Sequence, residues 1–524
     1  MRKDIGRNSR VGFLAAGILM AGALTAGRGT AWGAFSFPGC ADLAATDFKA
    51  VKLVVRSDGI AEPLKMALDG DASGNVDVYW VERVGDVKRY SAVSKKIDLL
   101  GTLDADSKYE SGLSGIALDP GFKTNNWIYF YYASGNQTKF SFRVSRFTLN
   151  KTTSALDMAS EKIMLDIPAG YSKQHTGGAL RFDGAGDLWI TVGENQGGLD
   201  GPANTNDLRG KILHIHPTPD GAYTIPSGNL FPPGTPKTKP EIFVMGCRNP
   251  YTLSIDPLRK GIAWGDVGPD HQLDHEEHNF TTTPGFYGWP LFAGQNLPLM
   301  TGYNAAAPVV VNSGVSPLPP ATPAIYTYHQ SAAMTGPFYY YDQNSPSKIK
   351  LPPHLNGTWF VSDFDANWIE GVTLDAKGQS IVKKERLWTT IFGSTVKLPI
   401  DMQIGPDGAF YVIAYSGGSW FAADAGTSIV RIEYTGTCLP TSGVTNALIR
   451  VPESQVLRFS GRDVSIAVEG PHAVTVRDIA GRSVFSRAGQ GHATYALGAI
   501  GKPGVYFLTA VTAQGTVSRK FIVD

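Results

Sequence analysis

The sequence predicts an all-β protein, a six-bladed β-propeller followed by a small C-terminal β-sandwich. Six short apolar and aromatic segments each follow a Gly, Asn or Asp turn, and helical periodicity is hard to find anywhere. They recur roughly every 50 to 95 residues, a spacing of the order that propeller blades give. A six-bladed ring avoids long free sheet edges, which favours a propeller over the alternative of paired β-sandwiches. The six segments are Gly74–Glu82, Asn125–Ala133, Gly186–Glu194, Lys260–Gly268, Asn356–Phe364 and Asp407–Tyr415.

Composition limits the size of the fold and the class of partner. The chain has 524 residues, 43% hydrophobic and 18% charged, which is enough for one large domain and a smaller one. Its 47 basic and 46 acidic residues give a net charge of +1, and no basic run stands out beyond the N-terminus. Nucleic acid is therefore excluded as a partner, because phosphate binding needs a concentrated basic surface.

The first 33 residues have the pattern of a secretory signal peptide. A basic start is followed by the apolar, small-residue run Val11–Ala26, and Ala31 and Gly33 suit cleavage just before Ala34. The alternative is a membrane anchor, but the run is short and rich in glycine. We therefore expect a secreted or cell-surface protein with no transmembrane span in its mature chain.

The expected domain boundaries are residues 34–438 for the propeller, 439–452 for a linker and 453–524 for the sandwich. Cys40 and Cys438 flank the propeller, so a disulfide between them would tie its ends together, and Cys247 lies in an apolar run as a buried thiol. Two Pro-rich stretches, Thr224–Pro240 and Pro298–Pro323, are expected to be long surface insertions between blades.

Three patterns in the C-terminal domain occur in the order seen in the sorting domains of the bacterial type IX secretion route. They are Asp478–Arg482, Gly504–Phe507 and Arg519–Val523, and the domain resembles those sorting domains. The resemblance implies that the secretion machinery is a partner. A generic accessory sandwich is the alternative.

His175 and the neighbouring residues Arg248 and Asn249 are the first candidates for catalysis or ligand binding. His175 stands just before Gly177 and Gly178, and a histidine there can accept a proton near neutral pH or be an ordinary loop residue. Arg248 and Asn249 follow an apolar run, where they can bind a carboxylated ligand or satisfy buried carbonyls.

The stretch Trp264–Asn279 is rich in carboxylates. Such oxygen clusters suit Ca²⁺ in exported proteins, and the alternative is a solvated acidic loop. Its three histidines raise the possibility of zinc but lack a matching fourth ligand; they are His271, His275 and His278.

Six motifs in a fixed order resemble the soluble quinoprotein glucose/sorbosone dehydrogenases. The family consists of six-bladed propellers that use pyrroloquinoline quinone (PQQ) and Ca²⁺, and the resemblance covers roughly residues 112–434. The motifs are Glu110–Phe122, His175–Glu194, Gly246–Pro257, Gly265–Asp270, Gly285–Pro290 and Pro399–Val412.

The resemblance implies a role for particular residues. His175 would be the general base that takes the sugar C1 hydroxyl proton while hydride passes to the quinone. Glu110 would face the substrate, and Arg248 and Asn249 would contact PQQ. The Ca²⁺ would be held by the carbonyls of Gly268 and Pro269, with Glu276 and Tyr287 as further metal ligands.

The sequence departs from the family where PQQ carboxylates are bound. No lysine occurs in "FDANWIEG", and Leu398 and Ile400 stand where arginines are expected, leaving Lys397 as the nearest cation. Cations that could compensate are Lys173, Arg181 and Arg209.

The sequence therefore predicts a secreted, PQQ- and Ca²⁺-dependent dehydrogenase that oxidises the C1 hydroxyl of an aldose to the lactone. Neither the sugar nor the electron acceptor is identified. Two alternatives remain, a carbohydrate-binding propeller without catalysis and a Ca²⁺-dependent hydrolase or lactonase.

Overall fold

The computed structural model describes most of the propeller and seven strands that follow it. The described residues are 43–134, 140–170, 172–269, 275–329, 332–387, 391–393, 396–417, 424–436, 457–460, 463–466, 471–478, 482–497, 500, 503–512 and 515–523. The proposed signal peptide, the proposed linker, Cys40 and Cys438 lie outside these residues. Cys247 is buried and free, as the sequence predicts.

The strands follow one another around the ring in chain order. A first strand, β1 (Phe48–Val55), precedes all six blades. Blade 1 consists of β2 (Pro63–Gly70), β3 (Val76–Glu82), β4 (Asp86–Tyr90) and β5 (Ile97–Thr102). Blade 2 consists of β6 (Leu113–Leu118), β7 (Trp127–Ala133), β8 (Ser141–Asn150) and β9 (Ala155–Pro168). Blade 3 consists of β10 (Gly177–Phe182), β11 (Leu188–Val192), β12 (Lys211–Pro217), the short β13 (Tyr223–Thr224) and β14 (Ile242–Met245).

The remaining blades continue this order. Blade 4 begins with β15 (Pro250–Asp256), β16 (Gly261–Asp266) and β17 (Glu276–Thr281). Three short strands come next. β18 (Gly285–Phe286) pairs parallel with β14 and extends the sheet of blade 3, and β19 (Phe292–Ala293) pairs with β20 (Leu297–Pro298). β21 (Tyr326–Tyr328) then completes blade 4. Blade 5 consists of β22 (Ala333–Tyr339), β23 (Thr358–Asp363), β24 (Trp368–Leu374) and β25 (Ile381–Arg386). Blade 6 contains β26 (Pro399–Ile404), β27 (Phe410–Ala414) and β28 (Ser428–Tyr434).

Helical structure among the described residues is short. One α-helix is present, α1 (Phe122–Asn125), with 3₁₀ turns at Ala45–Asp47, Arg56–Asp58, Gly198–Asp200 and Pro353–Leu355. None of these helices is long and apolar enough to cross a membrane.

The ring is closed by the first strand. β1 pairs antiparallel with β28, from Phe48 opposite Tyr434 to Val55 opposite Ser428, and so becomes the outer strand of blade 6. The first strands of the blades are neighbours around the axis in the order β2, β6, β10, β15, β22, β26 and back to β2. The predicted six-bladed propeller is confirmed.

The six apolar segments of the sequence are the second strands of the six blades. They correspond to β3, β7, β11, β16, β23 and β27, and nearly every residue in them is buried. A second strand is flanked within its sheet and covered by the neighbouring blades on both faces. Burial on both faces explains the continuous apolar run, in place of an alternating pattern.

Two contacts cross the propeller axis between opposite blades. Nζ of Lys65, on β2 of blade 1, lies 3.4 Å from the ring centroid of Tyr251, on β15 of blade 4. Nη2 of Arg181, on β10 of blade 3, lies 3.0 Å from Oδ1 of Asp401, on β26 of blade 6. The Asp401 carboxylate also accepts the backbone N–H of Met66 at 2.8 Å. These side chains therefore occupy the axis and connect inner strands that share no hydrogen-bonded edge.

The expected position of the two Pro-rich insertions is wrong. Both lie within a blade, Thr224–Pro240 between β12 and β14 and Pro298–Pro323 between β17 and β21. The second insertion returns to blade 3, where Val310, Leu318 and Ala321 pack in that blade's core. These apolar residues anchor the insertion to blade 3. They are scattered along the sequence, so they give no strand-like pattern.

The C-terminal region forms the predicted β-sandwich. Its strands are β29 (Leu457–Ser460), β30 (Asp463–Ile466), β31 (Pro471–Asp478), β32 (Ser483–Gln490), β33 (Ala493–Ala496), β34 (Gly504–Thr512) and β35 (Gly515–Val523). One sheet has the order β29-β30-β33 and the other β32-β31-β34-β35. Val464 and Ile466 from the first sheet pack with Val474, Val476 and Leu508 from the second.

We predict that Lys65→Met stabilises the protein at neutral pH. Burial lowers the pKa of Lys65 from its ordinary 10.5 to about 7, so the unfolded chain binds the proton more tightly between these values. Stability of the parent protein should therefore rise with pH through this window. The gain from Lys65→Met should be on the order of 1 kcal/mol or more at about pH 7 and should vanish near pH 10.5.

Lys211→Met is the matched control. Lys211 is equally buried and its pKa is also lowered to about 7, but its ammonium donates to the carbonyls of Gly201, Pro202 and Arg209 at 2.8 to 3.2 Å. Its replacement orphans those carbonyls and should destabilise the fold. Urea unfolding at several pH values measures both variants, and a loss of stability in Lys65→Met at neutral pH would contradict the account.

Candidate active site

One end of the propeller collects the residues that the sequence singles out. Glu110, His175 and Arg248 stand just before the inner strands β6, β10 and β15, and Glu194 and Gly268 stand just after the second strands β11 and β16. In an antiparallel hairpin the start of the first strand and the end of the second lie at the same end. Blades 2, 3 and 4 therefore present these residues together.

His175 is held from three sides. Its backbone has a φ of 52°, in the left-handed region. Its N–H donates to Oε2 of Glu110 at 2.7 Å, and its carbonyl accepts the N–H of Asn195 at 3.2 Å. Its ring Nδ1 lies 2.6 Å from Oε1 of Glu194. An ionised carboxylate can only accept, so Nδ1 carries the proton and Nε2 of the neutral ring keeps its lone pair.

The backbone around His175 leaves no room for extra side chains. A Cβ atom on Gly193 would lie 1.9 Å from the carbonyl oxygen of His175. Gly178 has a φ of 114°, and a Cβ there would meet the Ser114 hydroxyl at 2.3 Å. Glycines at these positions allow the inner strands of blades 2 and 3 to approach each other beside the histidine.

Arg248 and Asn249 are fixed by the acid that ends β16. Asp266 accepts the backbone N–H of Arg248 at 3.0 Å and that of Asn249 at 2.7 Å. The Arg248 guanidinium donates to the Val267 carbonyl at 3.0 Å, and Oδ1 of Asn249 accepts the N–H of Gly177 at 3.0 Å. The Arg248–Asn249 pair is thereby tied to the loop that carries His175.

A cavity beside Arg248 is bordered by oxygen ligands. Its lining includes Gly268, Pro269 and Tyr287 together with the buried carboxyls of Asp266 and Glu277. Burial raises the pKa of Asp266 to about 6. Burial, and then repulsion from Asp266, raises the pKa of Glu277 to about 8. Two buried carboxyls that share one site are costly to ionise, and a cation between them would relieve that cost.

Glu276 has a different environment from the one that the sequence implies. Its Oε1 accepts the N–H of Gly268 at 3.0 Å and its Oε2 accepts the N–H of Ala333 at 2.7 Å. It therefore positions the Gly268–Pro269 backbone and connects blade 4 to blade 5. Its role as a metal ligand stays a prediction.

The cations expected to bind a carboxylated cofactor differ in exposure and in pairing. Lys397 is exposed at the start of blade 6, where Leu398 and Ile400 follow it toward the interior. The three cations that could compensate are all ion-paired; they are Lys173 with Asp106, Arg181 with Asp401 and Arg209 with Asp207.

The histidines of the acidic stretch do not come together as a zinc site among the described residues. His271 lies outside them, and His275 lines the cavity beside Gly268. His278 is fully buried, stacked 5.5 Å from the Tyr328 ring, and burial lowers its pKa to about 3. It is an aromatic core residue.

Sequence reasoning missed Glu194 and Lys65. Glu194 had a signal, because a carboxylate directly after a buried second strand must emerge at the end where the inner strands begin. Glu277 belongs to the carboxylate-rich stretch that the sequence marks as suited to Ca²⁺. Lys65 gave no signal, because only the closed ring brings it to Tyr251.

Comparison with known proteins identifies a family match. The family model described as glucose/sorbosone dehydrogenase matches residues 60–420. The HIPL1 protein of Arabidopsis thaliana is 25% identical over 294 residues, and the match covers 50% of this chain and 40% of HIPL1. The chain thus spans less than half the length of that relative.

Two further relatives cover more of their own length. The aldose sugar dehydrogenase YliI of Escherichia coli is 24% identical over 371 residues, 69% of this chain and 90% of YliI. The solved PQQ-bound form of an aldose sugar dehydrogenase from Streptomyces coelicolor superposes with a TM-score of 0.53. It shares 19% identity and covers 74% of this chain and 98% of that one, which supports the fold.

We predict that Gly193→Ala destabilises the protein by about 2 kcal/mol or more, because its Cβ would collide with the His175 carbonyl oxygen. Gly184→Ala, in the turn of the same β10–β11 hairpin, is the control, since its Cβ would meet nothing within 4 Å. Thermal unfolding compares the two. Equal stability of the two variants would contradict the packing described for the His175 loop.

Proposed function

We propose, because the chain belongs to the glucose/sorbosone dehydrogenase family, that it is an exported sugar dehydrogenase that oxidises the C1 hydroxyl of an aldose to the lactone with PQQ and Ca²⁺. The observation that carries the proposal is the contact of 2.6 Å between Nδ1 of His175 and Oε1 of Glu194. It gives the chain a histidine with a defined tautomer at the end of the propeller where the inner strands begin.

His175 is the proposed general base. With Nδ1 donating to Glu194, Nε2 accepts the proton of the C1 hydroxyl, and the Glu194 carboxylate stabilises the imidazolium that forms. Glu110 holds the His175 backbone by accepting its N–H, and the family resemblance implies that it faces the sugar. The left-handed backbone of His175 therefore serves to aim the ring, and Glu110 and Glu194 act as positioning residues.

The donor set beside the base fits Ca²⁺. Gly268, Pro269, Asp266 and Glu277 line one cavity, and their backbone carbonyls and carboxyl groups are the hard oxygen donors that Ca²⁺ requires. Tyr287 lines the same cavity, and Glu276 fixes the Gly268 backbone. A divalent ion there would neutralise the buried acids.

The residues near this cavity also fit one face of PQQ. Arg248 is only 8% exposed and lines the cavity, where its guanidinium could bind a carboxylate of the cofactor. Asn249 holds the Gly177 N–H beside it. When bound, PQQ supplies the two-electron acceptor for the hydride from C1. Lys397, exposed just before the inner strand of blade 6, would be the cation for a second carboxylate.

Export is proposed from the N-terminal sequence, and transfer by the type IX machinery from the C-terminal sandwich. The strands that carry two of the sorting-like patterns pair with each other, with Gly504 opposite Val523 and Phe507 opposite Lys520. In the third pattern Arg482 Nε donates to Asp478 Oδ2 at 2.8 Å. The three patterns therefore have structural roles in the sandwich.

We predict that His175→Asn abolishes sugar-dependent dye reduction while PQQ binding is retained. Asparagine tolerates the left-handed backbone but lacks the basic nitrogen, so the loss should be about 10²-fold or more in kcat. The protein is reconstituted with PQQ and Ca²⁺, and a panel of aldoses is tested with a dye acceptor and by the PQQ absorbance. Glu194→Gln should lower kcat with little change in KM.

Other outcomes would identify the alternatives. Retained activity in His175→Asn would remove the histidine from its role. Sugar binding without turnover in the parent protein would favour a carbohydrate-binding propeller. Lactone hydrolysis that needs Ca²⁺ and no quinone would favour a hydrolase.

A further inference from the structure

We propose that blade 3 carries a second metal site, for a divalent transition metal, at the end of the propeller opposite to His175. The site is formed by Asp183 and Asp187 in the turn between β10 and β11 and by His214 on β12. One ligand atom from each of the three residues lies within 4.8 Å of the other two. The proposal is independent of the dehydrogenase function.

The tautomer of His214 is set from outside this group. The Asn229 side chain donates through Nδ2 to the carbonyls of His214 at 2.9 Å and Pro240 at 2.7 Å, which fixes its amide orientation. Its Oδ1, 2.8 Å from His214 Nδ1, must therefore accept a proton from that nitrogen. In the neutral ring Nε2 is then unprotonated.

The unprotonated Nε2 of His214 faces a carboxylate oxygen, which is also a hydrogen-bond acceptor. His214 Nε2 lies 3.2 Å from Oδ2 of Asp187, so two lone pairs face each other unless a proton or a metal ion lies between them. The side chain of His214 is 8% exposed, which makes an unmediated contact of this kind expensive.

Each of the other two ligands also has a supporting partner. Trp189 Nε1 donates to Asp183 Oδ2 at 2.9 Å, and its ring stacks on His214 with centroids 3.8 Å apart. His216 Nδ1 lies 2.6 Å from Asp187 Oδ1. Each of the three ligands is therefore oriented by a different neighbouring side chain. Metal sites use such outer partners to fix the geometry of their ligands.

Charge and ligand type define the metal class. With neutral imidazoles the two carboxylates carry two negative charges, which a divalent ion neutralises. A mixed set of imidazole nitrogen and carboxylate oxygen suits zinc and its neighbours better than Ca²⁺. The His216 side chain is 45% exposed, so the site is open to solvent for metal entry and for a water ligand.

The experiment is equilibrium dialysis of the full-length, chelator-treated protein against Zn²⁺ at about pH 8, where free imidazole is neutral. Excess Ca²⁺ is present to fill oxygen-ligand sites. We expect one Zn²⁺ per chain in the parent protein and loss of that ion in Asp187→Asn and in His214→Ala. Co²⁺ in place of Zn²⁺ should give a visible ligand-field band that the same substitutions abolish.

Two further variants make the result specific. Trp189→Phe keeps the ring stack and removes the donor to Asp183, so it should weaken Zn²⁺ binding by about 10- to 100-fold. His354→Ala, which breaks a histidine–carboxylate contact of 3.4 Å with Glu385 in blade 5, should leave it unchanged. Absence of bound Zn²⁺, or equal binding by His214→Ala, would overturn the proposal and identify the cluster as an ion-pair network of protonated histidines.

Discussion

The antiparallel pairing of β1 with β28 is the contact on which the rest of the molecule depends. It joins residues from the two ends of the propeller sequence and makes blade 6 complete, so the ring closes without a gap between blades 6 and 1. Only in a closed ring do opposite blades face each other, and only then can Lys65 reach Tyr251 and Arg181 reach Asp401 across the axis. Closure therefore determines both the scaffold and the polar filling of its centre.

The candidate site follows from the same geometry. In every blade the start of the inner strand and the end of the second strand lie at the same end of the propeller. Residues from three blades therefore meet at that end without an additional structural element. The strained backbone of His175 is maintained by the Glu110 carboxylate and by the absence of a side chain at Gly193. Burial raises the pKa values of Asp266 and Glu277 beside it, because the charged forms of buried carboxyls are disfavoured without a nearby cation.

Sequence patterns could predict what is local and repeated. The six second strands are continuous apolar runs because they are buried on both faces, and the order of the motifs identified the residues around His175. Contacts that depend on closure left no local signature, such as the pairing of β1 with β28 and the contact of Lys65 with Tyr251. The return of the 298–323 insertion to blade 3 left none either. The placement of that insertion between blades was wrong for this reason, since its anchoring residues are scattered. The proposed disulfide between Cys40 and Cys438 stays a prediction.

The central claim is that this end of the propeller removes hydride from C1 of an aldose while His175 takes the hydroxyl proton. Stopped-flow absorbance of the protein loaded with PQQ and Ca²⁺, mixed with glucose or with glucose deuterated at C1, tests it most directly. The account predicts sugar-dependent reduction of the quinone that is slower with the deuterated sugar, because the C1–H bond breaks in that step. Failure of glucose and of every other aldose to reduce the bound quinone would contradict it.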